Sequence, residues 1–270
     1  MNLEYVLSYS YGKDSGACIG ACRELGWQID RIVTADLWAT PTIPAEYPRM
    51  VEFKAEADAI IKRDFGLIVE HFTTKYAESI RGERVSFEEC FYREMTAGKF
   101  VGKIKGFPMQ RGNWCTKLKL NAISQMGLNG DTCVQYLGIA ADEPERIARY
   151  IDRPGYRLPL VELGWDEAYC REWCEKHGLL SPTYETATRG GCWFCHNQGV
   201  DQLRQLRRDY PELWTLLLKW DNDSPVSFKP DGRTVHDYDR RFQLEDEGFI
   251  RADKRFFWRM LDEPLQLRMF

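Results

Sequence analysis

The chain has 270 residues, and at roughly 150 residues per domain this length predicts one or two domains. Its 37 Lys and Arg against 41 Asp and Glu leave a net charge of −4, and 44% of its residues are hydrophobic. Such values exclude a disordered or collagen-like chain, and the absence of a run of about 18 apolar residues excludes a membrane-spanning helix. The first residues lack the basic and apolar segments of a secretory signal. We therefore expect a cytoplasmic protein with no membrane partner.

Strand and helix patterns alternate along the first third of the chain. The patterns predict three strands and two helices, in the order 4–8, about 14–25 (helix), 29–35, about 45–65 (helix) and 67–72. Gly26 and Gly66 follow the two helices, where glycine commonly ends a helix. Strands that alternate with helices are typical of β-α-β units, so the predicted fold class is α/β with a parallel sheet.

The rest of the chain predicts one more strand and mainly helices. The strand is expected at 133–139, and helices at about 144–150, 166–177, 200–209 and 212–220. The last fifty residues are aromatic-rich, and they begin with a cluster of turn-forming residues around 222–225.

The segment between the first strand and the first helix is polar and contains small residues. It reads Ser8-Tyr9-Ser10-Tyr11-Gly12-Lys13-Asp14-Ser15. A loop that opens a helix offers free backbone N–H groups and the positive end of the helix dipole to an anion. Its spacing fits neither the Walker A loop nor G-x-G-x-x-G. A phosphate-binding loop and a simple polar turn with a helix cap both remain open from spacing alone.

Four segments resemble a known family. Residues 10–15 resemble the S-G-G-K-D-S pyrophosphate loop of the adenine-nucleotide alpha-hydrolase (PP-loop ATP pyrophosphatase) superfamily, with Tyr11 in place of a glycine. Residues 106–119, 138–146 and 182–195 resemble, in the same order, the G-x-P…R-W-C-T…K, G-I-R-x-D-E-S…R and P-x-Y…R-x-G-C-x-x-C segments of its phosphoadenylyl-sulfate (PAPS) reductase branch. Ala140 and Pro144 depart from this pattern, because the family usually has Arg and Ser there.

The resemblance implies a fold and a nucleotide site. It implies a three-layer nucleotide-binding core over residues 1–220, which includes the cysteine site, and a mostly helical extension over 221–270 that packs on this core. Its implied ligands are ATP or another adenylyl nucleotide together with Mg²⁺. The implied nucleotide-binding residues are Ser8, Ser10, Tyr11, Gly12, Lys13, Asp14, Ser15, Asp36 (at the adenosine) and Gly138. Lys13 and Arg146 are the implied catalytic residues, with Arg146 facing the nucleotide or the substrate anion.

The nine cysteines are expected to be core residues, catalytic thiols or metal ligands. Cys192 and Cys195 lie in a glycine-rich turn, where two thiolates can bind one metal or cluster. A redox dithiol and inert packing are the alternatives for this pair. The family segment adds Cys115, which lies in the stretch 95–130 with six Lys and Arg and no acidic residue. Such surroundings favour the thiolate form.

The metal itself stays open, because soft thiolates bind zinc and iron–sulfur clusters alike. The resemblance favours a 4Fe–4S cluster on Cys115, Cys192 and Cys195, and Zn²⁺ with His196 as a fourth ligand is the alternative. The other six cysteines are expected to pack in the core, with Cys133 as a further candidate ligand: Cys18, Cys22, Cys90, Cys133, Cys170 and Cys174.

Two basic regions raise the question of a nucleic-acid partner. The acid-free stretch 95–130 is either a patch that attracts a polyanion or a solvated loop. In the tail, arginines interleave with aromatic residues, a pattern that suits stacking on bases. Residues 201–270 nevertheless hold 13 Lys and Arg against 14 Asp and Glu, so packing of the tail is the favoured interpretation.

Three functions are compatible with these features. The favoured one is an ATP-dependent adenylating enzyme that transfers sulfur to a nucleic acid or a small molecule with the help of an iron–sulfur cluster. An adenylyl-sulfate or PAPS reductase is disfavoured, because no cysteine follows Cys195 where that family has its nucleophile. A nucleotide-binding module with structural zinc is the third. The acceptor, the sulfur donor and the oligomeric state, a homo-oligomer included, are left open by the sequence.

Overall fold

The computed structural model describes residues 3–74, 85–98, 101–108, 114–128, 130–186, 190–252 and 258–261. The chain forms two compact units, of which the first comprises 1–87 and 115–192 and the second 88–114 and 193–270. The helices from residue 200 to 223 thus fall in the second unit, whereas the sequence-based partition groups residues up to 220 with the nucleotide-binding core.

The first unit contains an all-parallel sheet of five strands: β1 Glu4–Ser8, β2 Arg31–Asp36, β3 Val69–Thr73, β4 Cys133–Tyr136 and β5 Tyr156–Arg157. Their order in the sheet is β3-β2-β1-β4-β5. The chain runs from β1 outward to β3 on one side and then returns to place β4 on the other side of β1. This arrangement confirms the α/β class.

Both faces of the sheet are covered by apolar residues, as parallel strands require. Successive side chains of a strand point to opposite faces. Leu7 belongs to a core cluster with residues of the first and later helices, and Val6 to a second cluster with Met126 and Cys133. The near-continuous apolar run of β1 is therefore explained by burial on two faces.

Among the described residues, both units contain helices. They are α1 Lys13–Leu25, α2 Pro48–Phe65, α3 Phe87–Tyr92, α4 Trp114–Ser124, α5 Pro144–Ile147, α6 Pro159–Glu162, α7 Glu167–Lys176, α8 Thr183–Thr186, α9 Val200–Asp209, α10 Pro211–Asp223, α11 Val235–Asp246 and a 3₁₀ helix Trp258–Leu261. None of the helices described is long and apolar enough to cross a membrane.

Most predicted elements are present, and their ends agree within a few residues. Gly26 and Gly66 end α1 and α2 in the left-handed conformation, with φ of 66° and 72°, as the sequence predicts. The predicted strand 133–139 is shorter, because β4 ends at Tyr136. The predicted helix 144–150 is also shorter and ends at Ile147.

Helices α1 and α7 pack closely through small residues. A Cβ atom added to Gly20 would lie 2.3 Å from the Trp173 ring, so only glycine permits this approach. The four cysteines of these helices, Cys18, Cys22, Cys170 and Cys174, are fully buried. Burial raises the pKa of Cys22, Cys170 and Cys174 to about 12, so these groups stay protonated at neutral pH. The predicted packing role of these four cysteines is confirmed.

The described part of the second unit from residue 193 on has helices as its regular elements, around an aromatic core. The rings of Trp193 and Trp220 stack with centroids 5.4 Å apart. Arg241 is 3% exposed and donates to Glu245 at 2.8 Å. This arginine of the tail is therefore packed and paired within the second unit. Arg255, Phe256 and Phe257 lie outside the described residues.

Candidate functional site

The loop between β1 and α1 lies at a switch point of the sheet. Strand β1 has β2 on one side and β4 on the other, so the order in which strands are added to the sheet reverses at β1. Parallel α/β sheets bind ligands outside the carboxyl ends of the strands at such points. The predicted phosphate loop, residues 8–15, therefore occupies the position where a ligand site is expected.

Hydrogen bonds order the loop and the start of α1. The Ser10 amide donates to Ser15 Oγ at 3.2 Å, and Ser15 Oγ donates to the Gly12 carbonyl at 3.0 Å. Gly12 is the extended N-cap of α1, with φ −81° and ψ 157°, and has no side chain to cap the helix. Backbone N–H groups at such a helix start have no intrahelical partner and suit an anion.

Tyr184, a residue of α8, contacts the start of α1. Its hydroxyl accepts a hydrogen bond from the Lys13 amide at 3.1 Å, and a Cβ on Gly12 would lie 3.3 Å from the same oxygen. Burial raises the pKa of Tyr184, although the amide of Lys13 works against this shift. Tyr184 belongs to the P-x-Y segment, but its role as a cap could not be predicted from that segment.

Tyr11 has a left-handed backbone, with φ of 57°. This conformation is common for glycine and costly for residues with a Cβ. The ring of Tyr11 is 1% exposed, and its hydroxyl donates to Asp58 at 2.7 Å. The large side chain thus points into the protein.

Lys13 is paired with two carboxylates. Its Nζ is 2.8 Å from Asp14 and 3.0 Å from Glu167. Burial lowers the pKa of Lys13, but hydrogen bonds to Asp14 and Glu167 outweigh it and raise the pKa. Lys13 is therefore positively charged, and a phosphate that binds it has to compete with both carboxylates.

Gly138 brings the end of β4 against the same loop. A Cβ atom on Gly138 would lie 2.6 Å from the Ser15 amide nitrogen and 2.7 Å from the Asp14 carbonyl carbon. Both are backbone atoms, so a side chain here forces the two segments apart. Gly138 is thus required for the backbone contact that joins the carboxyl ends of β1 and β4.

The structure places the other two predicted nucleotide contacts in ion pairs. Arg146 Nη1 is 2.6 Å and 2.8 Å from the two carboxylate oxygens of Glu143, and its side chain is exposed. Asp36 is the last residue of β2, accepts a hydrogen bond from Lys54, and lies 2.7 Å from His71. Burial acts to raise the pKa of Asp36, but His71 and Lys54 lower it overall, so Asp36 is ionised.

The predicted thiolate ligands belong to different parts of the chain. Cys115 and Cys192 are in the first unit and Cys195 is in the second, and all three are half-buried. Among the residues that the structure describes, no group of three His, Cys, Asp or Glu side chains is arranged to hold a metal ion. The metal assignment therefore stays a prediction. Cys133 is 1% exposed and Cys90 6% exposed, both in apolar packing.

Several residues around the loop were missed by sequence reasoning. They are Glu46, Lys54, Asp58, His71 and Glu167. They are far apart in sequence and carry no local pattern that could have identified them. Of the predicted basic stretch, Lys117 and Lys119 are exposed on α4, whereas Lys99 and Arg111 lie outside the described residues.

Comparison with protein-family models finds no match for this chain, and comparison with curated proteins finds none either.

Proposed function

We propose that the chain binds ATP at the loop between β1 and α1 and is an adenylating enzyme that releases pyrophosphate. The observation that carries this proposal is the location of the loop. An ordered loop with a small N-cap opens α1 at the switch point of a parallel sheet, with Lys13 beside it. The resemblance of residues 10–15 to a pyrophosphate loop supports an adenine nucleotide as the ligand.

The chemistry is a transfer of the adenylyl group. An acceptor oxygen attacks the α-phosphorus, the bond from this phosphorus to the bridging oxygen breaks, and pyrophosphate leaves with the electron pair. Backbone N–H groups of the loop and the ammonium of Lys13 offset the charge that develops on the leaving phosphates, which is the largest contribution to many such reactions. Mg²⁺, when bound with ATP, supplies further positive charge.

Sulfur transfer to a nucleic acid or a small molecule is the finer form of the proposal. It rests on the resemblance to the PAPS reductase family and on the thiolate hypothesis. The described residues gather no three metal ligands, so we assign no step of the reaction to a cluster.

Lys13→Ala tests the proposal directly. Loss of a charge-assisted contact costs about 1.5–3 kcal/mol, which corresponds to a roughly 10- to 100-fold higher Kd for ATP. We expect this loss by titration calorimetry with Mg-ATP, together with slower pyrophosphate release.

Lys176→Ala, at an exposed position near the end of α7, is the matched control and should bind ATP as the wild type does. Failure of the wild type to bind ATP, or equal affinity in Lys13→Ala, contradicts the proposal.

A further inference from the structure

Polar side chains from four segments meet beneath the phosphate loop. Tyr11 comes from the loop, Asp36 from the end of β2, Asp58 from α2 and His71 from β3. His71 Nδ1 is 2.7 Å from Asp36 Oδ2, and His71 Nε2 is 2.9 Å from Asp58 Oδ2. The hydroxyl of Tyr11 then donates to Asp58 Oδ1 at 2.7 Å. These contacts form one hydrogen-bonded chain, Asp36–His71–Asp58–Tyr11.

Both carboxylate oxygens of Asp36 have partners within this cluster. Oδ1 accepts a hydrogen bond from Lys54, and Oδ2 is bonded to His71. Lys54 is itself held by Glu46 at 2.9 Å. An acidic residue after a strand beside β1 commonly accepts hydrogen bonds from a ribose. Here a ribose hydroxyl would have to share these oxygens with Lys54 and His71.

The other end of this hydrogen-bonded chain of side chains is Tyr11, a residue of the loop with a strained backbone. Tyr11 directly precedes the N-cap of α1 and has its backbone in the left-handed region. Four contacts hold its side chain: the Asp58 hydrogen bond, His71 Nε2 at 3.2 Å from the hydroxyl, the Tyr9 ring with centroids 4.3 Å apart, and the Lys54 ammonium 4.7 Å from the ring centroid. A residue with an unfavourable backbone persists only where its surroundings determine it.

We propose that Asp36 is a positioning residue, which acts through His71, Asp58 and Tyr11 to hold the phosphate loop, and that it does not contact the nucleoside. The inference rests on the proposed function in that the loop binds the phosphates of ATP. It reassigns Asp36 from adenosine recognition to the geometry of the loop.

Inorganic tripolyphosphate separates the two roles, because it has phosphates but no ribose or base. If Asp36 positions the loop, Asp36→Asn lowers the affinity for tripolyphosphate and the affinity for ATP by the same factor, roughly 10-fold for a lost charged hydrogen bond. Tyr11→Phe removes only the hydroxyl at the other end of the chain, and we expect a similar loss for both ligands. The double variant should lose little more than either single variant, since linked groups are not additive.

Tyr136→Phe is the matched control. This buried tyrosine of β4 also donates one hydrogen bond, to the Gln28 carbonyl at 3.0 Å, but it lies outside the chain of contacts to the loop. Both ligands should bind this variant with wild-type affinity.

Amide hydrogen exchange of residues 9–13 without nucleotide gives an independent readout. Faster exchange in Asp36→Asn and Tyr11→Phe, but not in Tyr136→Phe, supports the positioning role. This holds even if the wild type binds neither ATP nor tripolyphosphate, because that failure of binding would reject the proposed function and not the positioning role. Asp36→Asn that loses ATP affinity but keeps tripolyphosphate affinity overturns the inference, as does unchanged exchange in both variants.

Discussion

Tyr11 combines an unfavourable backbone with a buried, bonded side chain. The left-handed conformation costs roughly 1–2 kcal/mol for a residue with a Cβ, whereas a typical hydrogen bond contributes only about 1 kcal/mol. The hydroxyl bond to Asp58 and the burial of the ring together offset this cost. A tyrosine is therefore tolerated at this left-handed position because a specific cluster surrounds it.

His71 makes this cluster sensitive to alkaline pH. Hydrogen bonds to Asp36 and then to Asp58 raise the pKa of His71 from 6.5 to about 9, against the effect of burial. A group whose folded pKa is raised stabilises the protein fully below its unfolded pKa, and this stability is lost as the pH rises through the folded value. The contribution of His71 should therefore be complete at pH 6 and disappear above about pH 9.

Urea unfolding of the wild type and His71→Gln between pH 6 and 10 measures this contribution as a difference. We expect the difference in free energy of unfolding to shrink with rising pH. A difference that stays constant up to pH 10 would show that His71 does not contribute through its charge.

At the scale of elements, the end of β4 and the start of α1 touch through their backbones. The contact is possible because residue 138 has no Cβ and because β4 pairs directly with β1. The two segments of the candidate site are thus fixed relative to each other by the sheet and by van der Waals contact.

Gly138→Ala tests this arrangement. The added methyl group would lie 2.6 Å from the Ser15 amide nitrogen, and overpacking of this kind costs about 1–3 kcal/mol. We expect a lower free energy of unfolding and weaker ATP binding, measured by urea denaturation and calorimetry. Gly130→Ala is the control, because a Cβ there meets open space. Equal stability of the two variants would rule out the close approach.

At the scale of the whole molecule, the chain forms two units that each use segments distant in sequence. Residues 88–114 join the residues after 193 in the second unit, and residues 115–192 join the amino-terminal part in the first. A single boundary at residue 220 does not anticipate units that each combine segments distant in sequence.

The thiolate hypothesis predicts a metal content that depends on particular cysteines. Cys192→Ala and Cys195→Ala should lose iron or zinc in anaerobic metal and sulfide analysis. Cys18→Ala, a fully buried residue of α1, should keep the metal because its thiol packs in the core. Equal loss in Cys18→Ala, or a wild-type protein without metal, would make the ligand assignment wrong.

Three features could be predicted from the sequence: the alternation of strands and helices, the ends of α1 and α2 at glycines, and the location of a polar loop after β1. These features are local, because hydrophobic periodicity and glycine conformation act over a few residues. The packing of Cys18, Cys22, Cys170 and Cys174 was also predictable from their spacing on helices.

The contacts that hold the loop are visible only in the tertiary structure. Tyr11, Asp36, Asp58 and His71 are up to 60 residues apart, and parallel pairing of β1, β2 and β3 brings their carboxyl ends to one edge. Hydrogen bonds act over about 3 Å, so no pattern along the chain reveals which polar groups become partners. The fold creates that proximity.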